Sequence, residues 1–305
     1  MSHGTGSSRF DSIPYHDKVY STIDPSQYTS TTLSDKVVLI TGSGRGIGKA
    51  LGQAFSSLGA KVCFHDLTLD PAQQAADEAS RLYGTQTLAI QADVRVYADL
   101  QRLHRECVAK LGEVDVLVNN AGYGDFVTFD VAREEDYWDT VVLNLKGPMD
   151  LTRLVLPGMI TRDTGVIICN TTTGAVDNYP FCIPYMIAKT GIPRPPPFTS
   201  HVWGCLRPRA LEGDFMLMWM IGQAKLMHCL QMELKDTQIK CFHVHPGTPK
   251  TKMGDPNYAM REYVQELRPR LKEWVFGYLP SLNEDIGLGV WTMVYLASGK
   301  VLHPT

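Results

Sequence analysis

The sequence predicts an α/β fold in which a doubly wound parallel sheet is covered by helices on both faces. Short runs rich in β-branched residues alternate with helical segments from about residue 36 to residue 245. Strands that alternate with helices are joined by right-handed crossovers, which make neighbouring strands parallel. A chain of 305 residues can bury one sizeable core, so a single domain is the simplest organisation.

The first unit of this fold is a strand, a turn and a helix. The run KVVLIT at 36–41 predicts the strand, and the next segment has one apolar helical face that ends at Gly59. That face consists of Ile47, Leu51, Ala54, Phe55 and Leu58. The later predicted strands are KVCFH, TLAIQ, VDVLVN, GVIICN and IKCFHVH, and the helices between them are AQQAADEASRLYG, DLQRLHRECVAKLG and YWDTVVLNLKGPMDLTRLVL.

Residues 1–33 precede the first strand. They are polar, rich in Ser, Thr and Tyr, and without sustained periodicity. We therefore expect a flexible, extended or disordered N-terminal arm, followed by one domain over 34–305.

Composition and charge narrow the class of partner. The 29 basic and 32 acidic residues give a net charge of −3 without a long run of one sign. Nucleic acid and anionic membranes are therefore not expected as partners, and a small molecule is expected instead. Seven scattered cysteines without a C-x-x-C pair predict free thiols, a cytoplasmic location and no bound metal. The apolar run FMLMWMI at 215–221 is too short to cross a bilayer, and the N-terminus shows no apolar leader.

A glycine-rich turn, TGSGRGIG at 41–48, connects the first strand to the first helix. At such a turn, backbone N–H groups and the helix N-terminus can hold a pyrophosphate, and Gly42, Gly46 and Gly48 allow it to approach closely. The same turn places Ser43, Arg45 and Ile47 in the predicted cofactor site. Without its context, the motif could be only a tight connection between a strand and a helix.

Asp66 follows the second predicted strand and favours NAD as the cofactor. A carboxylate at this point can accept hydrogen bonds from the ribose hydroxyls of NAD and repels the 2′-phosphate of NADP. Asp66 could instead be an aspartate of a turn or a helix N-cap. Because Arg45 could attract a phosphate, NADP is not excluded.

Five motifs occur in an order and at spacings that resemble the short-chain dehydrogenases/reductases. They are TGSGRGIG, NNAG at 119–122, NLKG at 144–147, YMIAK at 185–189 and HPGTPKTKM at 245–253. The resemblance covers residues 34 to about 298 and implies a Rossmann-like fold with strand order 3-2-1-4-5-6-7. Since only GKVLHPT follows the last predicted helix, we expect the seventh strand to be short or missing.

The resemblance also implies how a nicotinamide cofactor binds. Asp93, next to Val94, matches the acidic residue that contacts adenine, although it could be a helix N-cap. Asn120, Ala121 and Gly122 match the segment that lies along the cofactor. The nicotinamide end is expected to contact Pro246, Gly247, Thr248 and Thr251.

Four residues are implied as the catalytic group. Tyr185 matches the acid/base, and Lys189, one helical turn away, is expected to lower the pKa of that tyrosine and to contact the cofactor. A tyrosine acting as a base near pH 7 needs its pKa lowered by about 3 units. Thr172 takes the position of the serine that orients the substrate oxygen, with Thr171 or Thr173 as the alternatives for a register shifted by one residue. Asn144 is expected to hold a backbone kink and a water on the proton path.

A proline-rich segment interrupts this pattern. Removing residues 193–222 joins YMIAKTGI to QAKLMHCLQMEL and produces one continuous apolar helical stripe. The stripe consists of Ile192, Leu226, Cys229, Leu230 and Leu234. Because four prolines at 193–197 cannot continue a helix, we interpret 193–222 as an insertion. We favour a retained intron or an error in the gene model over the alternative, a lid that covers the substrate mouth with Trp203, Phe215 and Trp219.

These observations predict an NAD(P)-dependent oxidoreductase that interconverts a secondary alcohol and a ketone. The resemblance to the family also suggests a role in secondary metabolism. Tyr179 and Phe181 favour an apolar or aromatic substrate, and the substrate loop offers further lining residues, which are Met253, Tyr258, Met260 and Tyr263. A homodimer or homotetramer is implied, but the insertion puts this association in question. The alternative function is a catalytically impaired dinucleotide-binding protein that acts as an interaction or redox-sensing module.

Overall fold

A computed structural model describes residues 18–172, 181–189, 223–278 and 284–299 of the chain. Its strands are β1 (Val37–Ile40), β2 (Lys61–Asp66), β3 (Thr87–Gln91), β4 (Val116–Asn119), β5 (Gly165–Asn170) and β6 (Ile239–Val244). They are parallel and lie in the order β3-β2-β1-β4-β5-β6. This order confirms the predicted Rossmann-like doubly wound sheet.

Helices follow or connect these strands. They are α1 (Gly46–Ser57), α2 (Leu69–Tyr83), α3 (Tyr97–Leu111), α4 (Glu134–Val141), α5 (Gly147–Arg162), α6 (Ile183–Lys189), α7 (Gln223–Glu233), α8 (Pro256–Ala259), α9 (Glu262–Leu267), α10 (Pro269–Tyr278) and α11 (Ile286–Ala297). A π-helical turn, Val142–Lys146, joins α4 to α5, and short 3-10 turns lie at Ser21–Ile23, Pro25–Gln27 and Lys252–Gly254. None of the described helices is both long and apolar enough to cross a membrane.

The central strand β1 shows why the sheet needs helices on both faces. Val38 and Ile40 belong to the apolar core on the face covered by α1, α2 and α11. Val37 and Leu39 point the other way, into the core formed with α3, α5 and α7. Because successive side chains of a strand alternate between faces, four consecutive apolar residues require two cores.

The sheet reverses its winding direction between β1 and β4. Crossovers lead from β1 towards β3 on one side and from β4 towards β6 on the other. Ligands of such sheets bind outside the carboxyl ends of the strands at this switch point. The segments that follow β1 and β4 meet there, where the Asn120 N–H donates to the Thr41 hydroxyl at 3.0 Å.

The described part of the N-terminal arm differs from our expectation. Ile23, Tyr28 and Leu33 are buried, and the Tyr28 ring stacks on Trp291 of α11 with centroids 6.0 Å apart. Residues 18–33 are therefore packed onto the domain, which corrects the prediction of a flexible arm for this part. The three apolar side chains lie in or beside short turns, so they have no α-helical or strand period in the sequence. Residues 1–17 lie outside the described part.

Two further predictions also fall outside the described residues. They concern the insertion at 193–222 and the short or missing seventh strand after residue 299. The described chain on either side of the insertion is helical, because α6 ends at Lys189 and α7 begins at Gln223.

Candidate active site

A cleft of about 890 Å³ lies at the carboxyl ends of the strands. It is lined by segments from the turn after β1 to the loop after β6, together with α6. All of the predicted catalytic and cofactor-binding residues line this cleft except Ser43 and Asn144, which are fully buried behind its wall. The fold therefore brings together residues that are up to 209 positions apart, counted from Gly42 to Thr251 as 251 − 42.

The glycines of the turn let its backbone pack closely against neighbouring backbone at the N-terminus of α1. Gly42 has φ +63°, and a Cβ atom there would stand 2.9 Å from the Ala121 backbone. A Cβ atom on Gly48 would lie 2.2 Å from the Gly42 carbonyl oxygen. The first N–H groups of a helix have no partner within it, and those of α1 receive no side-chain cap from Arg45. Gly46 and Gly48 at this helix end line the cleft. These features fit the pyrophosphate of a dinucleotide.

His65 of β2 supports the turn from behind. Its Nδ1 accepts a hydrogen bond from the Gly42 N–H at 3.2 Å, and its Nε2 lies 3.0 Å from the Ala92 carbonyl oxygen. Ser43 exchanges hydrogen bonds with the same residue, because its N–H donates to the His65 carbonyl and its hydroxyl accepts from the His65 N–H. Ser43 therefore holds the turn on β2 and does not line the cleft.

Asp66 and Arg45 have different partners within the cleft. The Asp66 carboxylate accepts hydrogen bonds from the Gly44 N–H at 3.1 Å and the Leu67 N–H at 2.8 Å. Arg45 donates to the Tyr258 hydroxyl at 3.2 Å, and its guanidinium lies 5.6 Å from the centre of that ring. The acidic side chain is thus anchored at the end of β2, while the basic one is turned towards the substrate loop.

Asp93 forms an ion pair that the sequence analysis did not predict. Arg95 binds both oxygens of the Asp93 carboxylate, with the shortest contact at 2.6 Å, and a second ion pair joins it to Asp139 at 2.7 Å. The hydrogen bonds from Arg95 hold the pKa of Asp93 below its usual value. In the sequence, the signal for this ion pair was the opposite charges of Asp93 and Arg95, two positions apart. Asp93 and Val94 line the cleft beside this ion pair.

Asn120 connects the end of β4 to the glycine-rich turn. Its side-chain amide donates to the carbonyls of Thr41 and Gly42 at 2.9 and 3.0 Å. Its carbonyl oxygen accepts from the Asn170 amide at 3.0 Å. The NNAG segment therefore fixes the relative positions of β1, β4 and β5 under the cleft.

Asn144 lies in the π-helical turn between α4 and α5. Its amide group donates to the Tyr123 carbonyl at 2.6 Å and to the Thr140 carbonyl at 2.9 Å. Its own carbonyl oxygen is buried and has no hydrogen-bond partner among the described residues. A π turn widens the helix by one residue and often marks functional sites. The backbone irregularity expected at this asparagine is present.

The two described threonines after β5 have different environments. The Thr171 side chain is buried, and its hydroxyl donates to the Lys189 carbonyl at 3.3 Å. Thr172 is half-buried, and both threonines line the cleft together with Tyr185. This arrangement favours Thr172 over Thr171 as the residue that meets a substrate oxygen, and Thr173 lies outside the described part.

Tyr185 and Lys189 lie on the same side of α6. The Lys189 ammonium is 5.8 Å from the centre of the Tyr185 ring and donates to the Asn170 carbonyl at 2.7 Å. Burial lowers the pKa of Lys189 to about 8 and raises the pKa of Tyr185. The pKa of Tyr185 therefore shifts upwards, whereas we expected Lys189 to lower it. In the chain without a cofactor, burial outweighs any effect of Lys189 on the phenol.

The segment after β6 forms the far end of the cleft. Pro246, Gly247, Thr248 and Thr251 all line it, and Gly247 has φ +82°. A carboxylate that sequence reasoning missed, Glu284, accepts hydrogen bonds from the Thr248 N–H and hydroxyl at 2.5 and 3.0 Å. No pattern in the sequence links these two residues, which stand 36 positions apart.

The predicted substrate-lining residues separate into two groups. Met253 and Tyr258 line the cleft, where the Tyr258 ring meets Tyr123 edge to face with centroids 5.4 Å apart. Met260 and Phe181 do not line it, since they pack in a separate apolar cluster around Val264 and Val275. The prediction that Phe181 faces the substrate is therefore wrong for this structure, and Tyr179 lies outside the described part.

The sequence analysis also did not predict a group of charged side chains at the rim of the cleft. Arg261 pairs with Asp125 at 2.6 Å and with Asp136 at 2.8 Å, and Tyr263 donates to Asp136 at 3.2 Å. Tyr263 thus supports the rim and does not line the cleft. Burial raises the pKa of Asp125, although the arginine opposes this shift. Among the described residues, no group of three or more His, Cys, Asp or Glu side chains could hold a metal ion.

Comparison with sequence families gives a match to one family. The sequence model of the short chain dehydrogenases matches residues 36–194. The matched region contains β1 to β5 and α6, and it ends at the start of the proline-rich segment.

Individual relatives match over about half of the chain. A probable galactose dehydrogenase, GalD, of Rhizobium meliloti (strain 1021) is 34% identical over 171 residues, which are 56% of this chain and 66% of that protein. The 7alpha-hydroxysteroid dehydrogenase of Escherichia coli (strain K12) is 37% identical over 143 residues, 47% of this chain and 55% of that protein. The chain thus spans between half and two thirds of these relatives.

The fold also matches a solved structure. It is the crystal structure of a metagenomic short-chain oxidoreductase in complex with NADP, with a TM-score of 0.58 and 25% sequence identity. The match covers 71% of this chain and 84% of that one.

Proposed function

We propose that this chain, which belongs to the short-chain dehydrogenase family, is a nicotinamide-dependent oxidoreductase that interconverts a secondary alcohol and a ketone. One observation carries the proposal. Tyr185, Lys189 and Thr172 line the same cleft as the glycine-rich turn, which offers N–H groups for a pyrophosphate. A dinucleotide bound at that turn can extend towards the three side chains, because they belong to one continuous cavity.

The cofactor supplies or accepts the hydride, and the residues of this chain manage the proton. In ketone reduction, Tyr185 gives its phenolic proton to the carbonyl oxygen while the carbonyl carbon gains the hydride, so the product is the alcohol. Burial keeps the pKa of Tyr185 high, and the neutral phenol is the form that donates.

Lys189 and Thr172 assist that transfer. The Lys189 ammonium, 5.8 Å from the Tyr185 ring centre, stabilises the negative charge that develops on the phenol oxygen. The Thr172 hydroxyl can donate to the same substrate oxygen and orient it. Asn144 is buried, and its side-chain carbonyl oxygen, which has no hydrogen-bond partner among the described residues, suits a water that returns a proton towards Lys189.

NAD is the cofactor we propose, with NADP as the alternative. The Asp66 carboxylate is held on the cleft wall by two N–H donors, where it would accept from ribose hydroxyls and repel a 2′-phosphate. Arg45, the nearby cation that could attract that phosphate, is engaged by Tyr258. The NADP in the similar solved structure favours the alternative.

The proposal is tested with Tyr185→Phe and the control Tyr137→Phe. Tyr137 lies on α4 and contacts Phe129 and Trp138. We measure binding of NADH and NADPH by fluorescence and turnover of a panel of ketones and secondary alcohols. We expect tighter binding of NADH, turnover by the wild type and the control, and loss of turnover by Tyr185→Phe with NADH binding retained. Equal turnover by Tyr185→Phe would reject the mechanism.

One observation supports a second function. The family match ends at residue 194, five residues after Lys189, where the prolines begin. If the proline-rich segment prevents catalysis, the chain acts as a dinucleotide-binding module. NADH binding without turnover across the whole panel would favour this function.

A further inference from the structure

Gln223 is a buried polar residue next to Lys189. It is the first residue of α7 and has no exposed surface. Its side-chain carbonyl oxygen accepts a hydrogen bond from the Lys189 ammonium at 3.1 Å. The ammonium therefore has two acceptors, because the Asn170 carbonyl lies 2.7 Å away on the β5 side.

This contact crosses the interruption in the chain. Lys189 ends α6 and Gln223 begins α7, 34 positions later. If residues 193–222 are left out of the count, Gln223 stands four positions after Lys189. Residues four apart on a helix are neighbours on its surface, so the two side chains meet as they would on one unbroken helix.

The chemical nature of the acceptor matters for a buried ammonium group. Burial disfavours the charged form of a lysine, and an adjacent carboxylate would favour it. The groups of the described residues that influence Lys189 are the Cys169 thiol on β5 and the Tyr185 ring on α6, with the Cys182 thiol beside Tyr185. A neutral amide fixes the direction of the ammonium without adding the negative charge that would hold its proton.

We propose that Gln223 is a positioning residue that orients the Lys189 ammonium beside Tyr185 through its side-chain carbonyl. The helix that follows the proline-rich segment thus completes the catalytic group. This inference rests on the proposed function for its kinetic consequence, but the hydrogen bond itself can be tested without turnover.

The experiment compares the full-length wild type with Gln223→Glu, Gln223→Leu and the control Gln231→Glu. Gln231 is also on α7, and its side-chain carbonyl accepts from the Cys241 N–H. The control therefore adds the same charge to the same helix at a site away from Lys189. The pKa of Lys189 is read by NMR of protein labelled with 13C at the lysine ε carbon, with the signal assigned by Lys189→Arg.

We expect Gln223→Glu to raise the pKa of Lys189 by about one unit or more, since an adjacent carboxylate stabilises the ammonium. Gln231→Glu should leave it unchanged. In turnover assays, the pH profile of kcat should shift in the same direction in Gln223→Glu, and Gln223→Leu should lower kcat about tenfold with a smaller effect on KM.

An unchanged pKa of Lys189 in Gln223→Glu would overturn the proposal, whether or not the protein turns over any substrate. If Gln223→Leu does not fold, the pKa of Lys189 in the nearly isosteric variant Gln223→Glu still tests the proposal. Failure of the proposed function shows separately, as absence of turnover in the wild type.

Discussion

At the scale of single residues, His65 links two segments of the cleft in which we propose that a dinucleotide binds. Its Nδ1 accepts from the N–H of Gly42, and its Nε2 lies at the carbonyl of Ala92, just before Asp93, the residue that we expect on the adenine side. These two partners require the neutral tautomer that carries its proton on Nε2. A second proton on the ring would remove the acceptor that holds Gly42.

This requirement gives a prediction on pH and stability. Burial lowers the pKa of His65 below its usual value, so between that lowered pKa and about 6.5 the unfolded chain binds more protons than the folded one. Stability contributed by His65 is full above about pH 6.5 and is lost as the pH falls below it. Urea unfolding at pH 7.5 and 5.5 should show a smaller loss for His65→Gln than for the wild type.

Two partly buried histidines shift the wild-type curve in the same direction, since burial also lowers the pKa of His243 to about 4 and that of His245. The difference between wild type and variant isolates His65. An equal loss in both proteins would show that His65 is not held neutral.

At the scale of elements, the loop after β4 sets the position of α6. The backbone of Gly124 lies against the Tyr185 ring, where a Cβ atom would stand 2.8 Å from Cγ and 2.9 Å from Cδ2. The same loop is anchored to the π turn by the hydrogen bond from Asn144 to Tyr123. Loop, π turn and α6 therefore form one support for the phenol.

We accordingly predict that Gly124→Ala lowers kcat by about tenfold or more, because the added methyl must displace the Tyr185 ring from its catalytic position. NADH binding and the melting temperature should change little. The matched control is Gly277→Ala on α10, where an added Cβ meets nothing within 4 Å among the described residues. Wild-type kcat in Gly124→Ala would show that the ring tolerates the shift.

At the scale of the whole molecule, segments that are far apart in the sequence pack onto the domain that contains the candidate active site. The N-terminal segment covers α11 through Tyr28 and Trp291, and α11 in turn covers one face of the sheet. On the other face, Met227 and Leu230 of α7 join the core formed by α3 and α5. The helix after the interruption is thus part of the domain.

The deletion of residues 193–222 tests the role of the interruption. We expect the shortened chain to keep the Lys189–Gln223 contact at a spacing of four residues, to fold, and to reduce ketones at least as fast as the full chain. Circular dichroism, light scattering for the expected homodimer or homotetramer, and turnover measure the three properties. An active full chain with an inactive deletion would instead make the proline-rich segment a working part of the site.

Much of the site could be predicted because its residues occur in short motifs next to strands. The glycine-rich turn, Asp66 and the pair of Tyr185 and Lys189 are each recognised by local spacing, and the cleft contains all of them. The directions of their side chains could not be predicted. Arg45 turns to Tyr258, and burial raises the pKa of Tyr185, because both effects depend on neighbours from other elements.

The sequence by itself determined the fold class, since alternating strand and helix patterns are local properties. It also determined the family through ordered motifs, and the resemblance to that family implied the order of the six strands. Only the tertiary structure decided that residues 18–33 are packed, that Arg95 holds Asp93, that His65 supports Gly42 and that Gln223 meets Lys189. Gly42 and His65 stand 23 positions apart and share no repeating pattern, and Lys189 and Gln223 stand 34 positions apart in the full chain, with the proline-rich segment between them. Such contacts depend on distances that exist only after the sheet and its helices have packed together.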